Sequence, residues 1–368
     1  MKRACLLLAV TLAATALAGE GHAQVAFTRG ETLYALNLDR RGLPRPGAHH
    51  FRVTRLWPMD KWDDIAIGWT PRGQIWLDHS VDTIHGGKYY DMPDSKIPPA
   101  GIWLVMPESG AKPRKLVSGH GPSFSPDGKR MAYVTTPQDH PDGPSQVLIL
   151  DLDTRKSTLF ATNAQRPTWS PKGDRIAVVR FSGDVRARAR VDILRYPSGE
   201  VARSLPPMEG AEEISFSPDE SWITAQIPQQ VRPFLFDLRS GAKLSPSHPE
   251  GFDSQAVDDW TSDGKWVLCL WAGSRPGVRA PKALDCAYLG LSPLGRGKPR
   301  LIGLGANGQL TSDGLHMVFI REHSPNSQHG GYDLVWGAIN PGAKTTVLAY
   351  DVWDFAVMRK PTPLQRSR

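Results

Sequence analysis

Short runs of alternating apolar and polar residues recur along the chain. Arg130–Val134 (RMAYV), Arg175–Val179 (RIAVV), Trp266–Leu270 (WVLCL) and His316–Ile320 (HMVFI) are rich in β-branched and aromatic residues and read as β-strands. A polar loop follows each run. A second apolar run then leads into a turn, as in Gln146–Leu152, Val191–Tyr196 and Pro233–Leu238, and a short third run closes the unit. The hydrophobic pattern therefore predicts an all-β protein built from many short strands.

One string stands before these runs at regular intervals. It reads Trp69-Thr-Pro-Arg-Gly73, Phe124-Ser-Pro-Asp-Gly128, Trp169-Ser-Pro-Lys-Gly173, Phe216-Ser-Pro-Asp-Glu220, Trp260-Thr-Ser-Asp-Gly264 and Leu310-Thr-Ser-Asp-Gly314. The intervals are 55, 45, 47, 44 and 50 residues, a period that belongs to propellers and arrays. Pro and Asp (Asp127, Asp219, Asp263, Asp313) favour a tight turn, and glycine takes the positive-φ position. The aromatic residue ends the strand before the turn. Each unit then has four strands, A to D, with the motif at the A–B turn. One such sheet cannot bury both its faces, whereas a ring of sheets can. Gln24–Thr28 reads as a strand B without a strand A, and Val352–Met358 can supply the missing strand. This predicts a β-propeller of seven four-stranded blades, closed by strands from the two ends. Six blades is the alternative, with the tails outside the ring.

The F/W-S-P-D-G string followed by an apolar strand resembles the WD40-like, or PD40, repeat of TolB-type propellers, and the resemblance spans residues 24–368. It implies the propeller fold and little about activity. TolB-type proteins carry an α/β domain ahead of the propeller, whereas here the repeat pattern begins directly after residue 23. Prolyl oligopeptidase-type enzymes also carry such propellers, but the chain has no Gly-x-Ser-x-Gly elbow. Seven-bladed oligogalacturonate lyases are similar in shape and use a histidine-glutamine metal cluster, from whose spacing Gln328-His329 departs.

Residues 1–23 form a secretory signal by pattern: Lys2 and Arg3, an apolar run from Leu6 to Ala18, then small-x-small cleavage sites. The reading is a signal peptide over 1–23, a single propeller domain over 24–368, and a periplasmic or secreted location. No other apolar run is long enough to predict a membrane span. In an oxidising compartment Cys269 and Cys286 can pair, or remain two buried thiols. Losing Lys2, Arg3 and Glu20 takes the formal charge from +7 to +6. The charge is spread without a Lys/Arg block, which suits anionic envelope polymers and predicts no nucleic-acid partner.

Candidate chemistry falls on the face opposite the A–B turns. Trp62, Asp63 and Asp64 precede the first motif. His79 and His85 lie in one long B–C loop, Asp139 and His140 in another, and His323 and His329 in a third, while Trp353 starts the closing blade. Imidazoles and carboxylates gathered around a central funnel could hold zinc or manganese, or they are solvated loop residues. The acidic pairs Asp63-Asp64, Glu212-Glu213 and Asp258-Asp259 recur just before their motifs, a pattern that suits a structural or funnel-lining role. Arg186, Arg188 and Arg190 alternate on one extended face and could meet an anion. The expected function is a non-catalytic exported propeller that binds a protein, peptide or envelope polymer through the loop-rich face. The alternative is a metal-dependent polysaccharide lyase or hydrolase using the histidines. No catalytic residue and no cofactor is named by the sequence.

Overall fold

The computed structural model describes residues 24–38, 44, 50–56, 65–79, 101–135, 144–181, 189–206, 213–226, 233–273, 287–322 and 332–358. These residues form seven four-stranded antiparallel sheets and no helix, the blades of a β-propeller. We number the blades from the first motif. Blade 1 has strands Ile65–Trp69, Ile75–His79, Gly101–Val105 and Arg114–Val117. Blades 2 to 6 follow in chain order and begin with strands A at His120–Phe124, Gln165–Trp169, Glu213–Phe216, Phe252–Trp260 and Ala306–Leu310.

Blade 7 is composite. Its strand A is Phe355–Val357, which pairs with Gln24–Arg29 in the register Val25↔Val357, Ala26↔Ala356 and Phe27↔Phe355. Thr32–Asn37 and Phe51–Arg55 complete the sheet. The strand missing at one end of the chain is thus supplied by the other, and the ring has seven blades rather than six.

The apolar core lies between blades rather than on the axis. Seven clusters of buried side chains each join two neighbouring blades. Between blades 3 and 4, for example, Val179 and Ile193 pack on Phe216, Ile223 and Phe236. Between blades 7 and 1, Leu33 and Val53 pack on Ile67 and Leu77. Strands B are buried on both faces: Ile176, Ala177, Val178 and Val179 are all fully covered. That is the expected condition of a sheet sandwiched between two others. Strands D form the rim, and Ser157–Thr162 and Val201–Ser204 are largely exposed.

The motif forms the turn that its residues predict. The Ser125 hydroxyl donates to Asp127 Oδ1 at 2.6 Å and accepts the Arg130 N–H at 2.9 Å, and Asp127 Oδ1 also accepts the Lys129 N–H at 2.9 Å. The hydroxyl-to-carboxylate bond repeats at 2.6 Å in Ser217–Asp219, Thr261–Asp263 and Thr311–Asp313. Burial would raise these carboxyls, but the hydroxyl and N–H donors outweigh it, so Asp127, Asp219 and Asp313 sit below the usual value. The glycines have φ between 65° and 79°. The fourth copy has Glu220 in that place, at φ 59°.

Candidate axial binding site

The seven strands A surround the axis, and their side chains tie each blade to the next. Asp78 Oδ2 in blade 1 accepts the Gly121 N–H of blade 2 at 2.7 Å. Ser123 Oγ accepts the Trp169 N–H at 3.0 Å, and Thr168 Oγ1 donates to the Ile214 carbonyl at 3.2 Å. Trp260 Nε1 donates to Ser215 Oγ at 2.8 Å. Asp258 Oδ2 and Asp259 Oδ2 accept the N–H groups of Gly308 and Leu310, each at 2.7 Å. Gln309 donates to the Phe355 carbonyl at 3.1 Å and accepts the Val357 N–H at 2.8 Å. Asp354 Oδ2 accepts the Ile67 N–H at 3.1 Å and Trp69 Nε1 donates to the Ala356 carbonyl at 3.0 Å, which closes the ring. Backbone groups of the innermost strands have no sheet partner on their inner side, so these side chains satisfy them. The acidic pair Asp258-Asp259 is in this way partly structural, while Asp63, Asp64 and Glu212 lie outside the described residues.

Inside this belt, at the end of the axis that carries the A–B turns, lies a cavity of about 860 Å³ lined by residues of all seven blades. Four tryptophans are among the lining residues: Trp69 and Trp76, which are partly exposed, and Trp169 and Trp260, which are largely buried in the core between blades. Trp76 comes from strand B and reaches the axis because residue 68 is glycine. A Cβ there would overlap its indole ring. Asp127, Asp258 and Asp259 are the acidic residues of the cavity wall. Burial pushes the Asp258 carboxyl up to about 7, against the pull of the Gly308 N–H, and nearby Glu213 raises it further. Lys172 and Arg130 also line the cavity. The Lys172 ammonium lies 3.6 Å from buried Glu220, which also pairs with Arg175.

The loop end of the axis carries a different group. Asp78, near the end of strand B in blade 1, is raised to about 6 by burial, opposed by the Gly121 N–H and by the charge of Arg166. His120, the first residue of strand A in blade 2, is lowered by desolvation and by the same Arg166. The Arg166 charge, from strand A of blade 3, thus acts on groups of both blades 1 and 2.

The sequence expectations meet the structure unevenly. His79 was expected in a loop, but it is the last residue of a strand, paired with Ile65 and Gly101 and 1 % exposed. The register of blade 1 carries the strand one residue further than the loop boundary read from polarity. Trp353 is 54 % exposed, between strand D of blade 6 and strand A of blade 7, and its N–H donates to the Thr28 carbonyl at 3.0 Å. Trp62, Asp63, Asp64, His85, Asp139, His140, His323 and His329 lie outside the described residues, as do Arg186, Arg188 and Cys286. Cys269 is a buried thiol in the blade 5 core, its pKa raised by that burial. Among the described residues no three His, Cys, Asp or Glu side chains converge as a metal site, and no helix is long and apolar enough to cross a membrane. Trp76, Asp78, His120 and Arg166 were not singled out from the sequence. Alignment on the motif would have shown that Arg166 stands three residues before its aromatic, where blade 2 has Gly121.

No family model matches the sequence, and no curated protein matches it either. Solved structures do share its shape. An oligogalacturonate lyase in complex with manganese superposes with a TM-score of 0.56 at 13 % identity, over 90 % of this chain and 86 % of the lyase. A second oligogalacturonate lyase, from Vibrio parahaemolyticus, gives 0.55 at 11 % identity, over 88 % of this chain and 84 % of that one. TolB from Acinetobacter baumannii gives 0.48 at 13 % identity, over 95 % and 85 %. At such identities the likeness to the two lyases is a likeness of fold: the chain is a seven-bladed β-propeller.

Proposed function

We propose that this chain is an exported, non-catalytic propeller that binds a protein, peptide or envelope polymer, and that the axial cavity receives the bound segment. One observation carries the reading: four tryptophans from blades 1, 3 and 5 line a single cavity of about 860 Å³, and Trp69 and Trp76 are partly exposed there. Flat aromatic faces with a few polar groups between them suit the faces of sugar rings or peptide planes. The cavity's acidic pair supports binding rather than chemistry, because Asp258 and Asp259 both hold backbone N–H groups of blade 6. The resemblance of the repeat motif to TolB-type propellers supports the same reading. Export rests on the pattern of residues 1–23. The cavity lies at the turn end, so this proposal moves the binding site away from the loop-rich face expected from sequence.

Intrinsic tryptophan fluorescence, titrated with defined envelope oligosaccharides and peptides, tests it. Saturable quenching that weakens about tenfold in Trp76→Ala is the expected result, which corresponds to roughly 1.4 kcal/mol of lost stacking. Quenching unaffected by that substitution would overturn the site. Metal content of the untagged mature protein, measured by plasma mass spectrometry, tests the other half. Stoichiometric zinc or manganese would overturn the non-catalytic reading in favour of a metal-dependent lyase or hydrolase.

A further inference from the structure

Strand A carries a register shift in four blades: between His120 and Ser123, between Gln165 and Thr168, between Ala306 and Gln309, and in blade 5 between Ser254 and Ala256 and between Val257 and Asp259. In blades 2, 3 and 6 the residue three places before the motif's first residue takes a left-handed conformation: Gly121 at φ 61°, Arg166 at φ 51° and Asn307 at φ 51°. Glycine adopts this conformation freely and asparagine tolerates it, whereas arginine does so at a cost. Bulges of this kind re-aim side chains and are common beside binding sites. Strain kept at one position of an otherwise repetitive strand points to use of that side chain.

The bulged residue of blade 3 is Arg166, the second residue of its strand A and so at the loop end of the blade. Arg166 is exposed and makes no hydrogen bond or ion pair among the described residues. Its charge reaches His120 and Asp78. Asp78 spends Oδ2 on the Gly121 N–H, while its Oδ1 is buried without a hydrogen-bond partner. Three blades thus bring together five unspent guanidinium donors, an imidazole and a carboxyl oxygen that lacks a donor.

We propose that Arg166, His120 and Asp78 form an anion site at the loop end of the axis, and that it takes a carboxylate group held by Arg166. The planar guanidinium matches a carboxylate in bidentate fashion. A single formal cation beside a carboxyl group fits a monoanion, and a phosphate dianion would meet Asp78 with like charge. A proton on Asp78 can be shared with the bound carboxylate, which satisfies Oδ1. Burial holds that proton to about pH 6. None of these three residues lines the turn-end cavity, so this site stands or falls separately from the function proposed above.

The test is calorimetric titration of the full mature protein at pH 6 with N-acetylglycine, and separately with inorganic phosphate. Wild type is expected to bind N-acetylglycine saturably and more tightly than phosphate. Arg166→Gly relaxes the backbone, so its urea midpoint should equal or exceed that of wild type while binding falls at least tenfold. Arg166→Gln, which keeps the side-chain length without the charge, should lose binding to the same extent. Trp76→Ala should leave N-acetylglycine binding unchanged. Absence of saturable binding by wild type, tighter binding of phosphate, or wild-type binding by either Arg166 variant would each overturn the site.

Discussion

Asp258 offers a test of the axial electrostatics that does not depend on any ligand. Its carboxyl is raised from 3.8 to about 7, chiefly by burial. A folded-state value above the unfolded one means a stabilising contribution that is full below pH 3.8 and is lost as pH rises through about 7. At pH 5 the unfolded carboxyl is ionised while the folded one keeps its proton. The gap of about two pH units, at about 1.36 kcal/mol each, is worth about 3 kcal/mol. Water in the channel screens part of it, so a loss of about 2–3 kcal/mol between pH 5 and pH 8 is expected. Asp258→Asn removes the titration while its amide carbonyl can still accept the Gly308 N–H. Urea unfolding at a series of pH values is the assay. The wild-type midpoint should fall by about 1 M from pH 5 to pH 8, and that of Asp258→Asn much less. Asp78, raised to about 6, adds a smaller fall below pH 6 that the substitution leaves in place. The turn carboxylates Asp127, Asp219, Asp263 and Asp313 are lowered. They lose their contribution only as pH falls below the ordinary value, outside this window. Parallel pH profiles for wild type and Asp258→Asn would refute the reasoning.

Three further outcomes follow from particular contacts. Glu220→Gly removes left-handed strain worth about 1–2 kcal/mol, but it also removes a buried carboxylate that accepts the Lys172 N–H at 2.6 Å and pairs with Arg175. Breaking a buried pair costs about 3–5 kcal/mol, so a net loss of about 1–4 kcal/mol in urea stability is expected, and a raised midpoint would contradict it. Gly68→Ala puts a methyl group into the Trp76 ring; a loss of about 1–3 kcal/mol and a shifted tryptophan emission are expected, and a spectrum identical to wild type would show that Trp76 does not depend on that glycine. Ala287 pairs with Ala272, three residues or about 10 Å along the strand from Cys269, whereas a disulfide needs Cα atoms within about 7 Å. Thiol titration of the denatured mature protein without reductant should therefore find two free thiols, and finding none would contradict this register.

Much of the scaffold is legible along the chain because its determinants are local. The residues of each motif lie within five positions, and in the copies at Phe124, Trp260 and Leu310 a hydroxyl, an aspartate and a glycine form the turn without help from distant parts. Ring closure was also readable, since an unpaired strand at Gln24–Arg29 has its complement at Phe355–Val357. The site was harder to read. Polarity marked the histidine loops, and of those candidates only His79 and Trp353 fall among the described residues. His79 proved to be a buried strand residue. Polarity gave no weight to Trp76, whose approach to the axis depends on Gly68, or to Arg166, whose direction depends on a bulge.

Sequence alone determined the strands, their turns and the recurring four-stranded unit, because hydrophobic periodicity and turn chemistry act over a few residues. It left six or seven blades open, and the pairing of the closing strand decided between them. Tertiary structure alone decided which side chains meet on the axis. Both faces of a blade are covered by neighbouring blades, so alternation cannot distinguish the position that faces a neighbour from the one that faces the channel. The joining of Asp78, His120 and Arg166 needs three blades turned about one axis, and no spacing along the chain encodes that rotation.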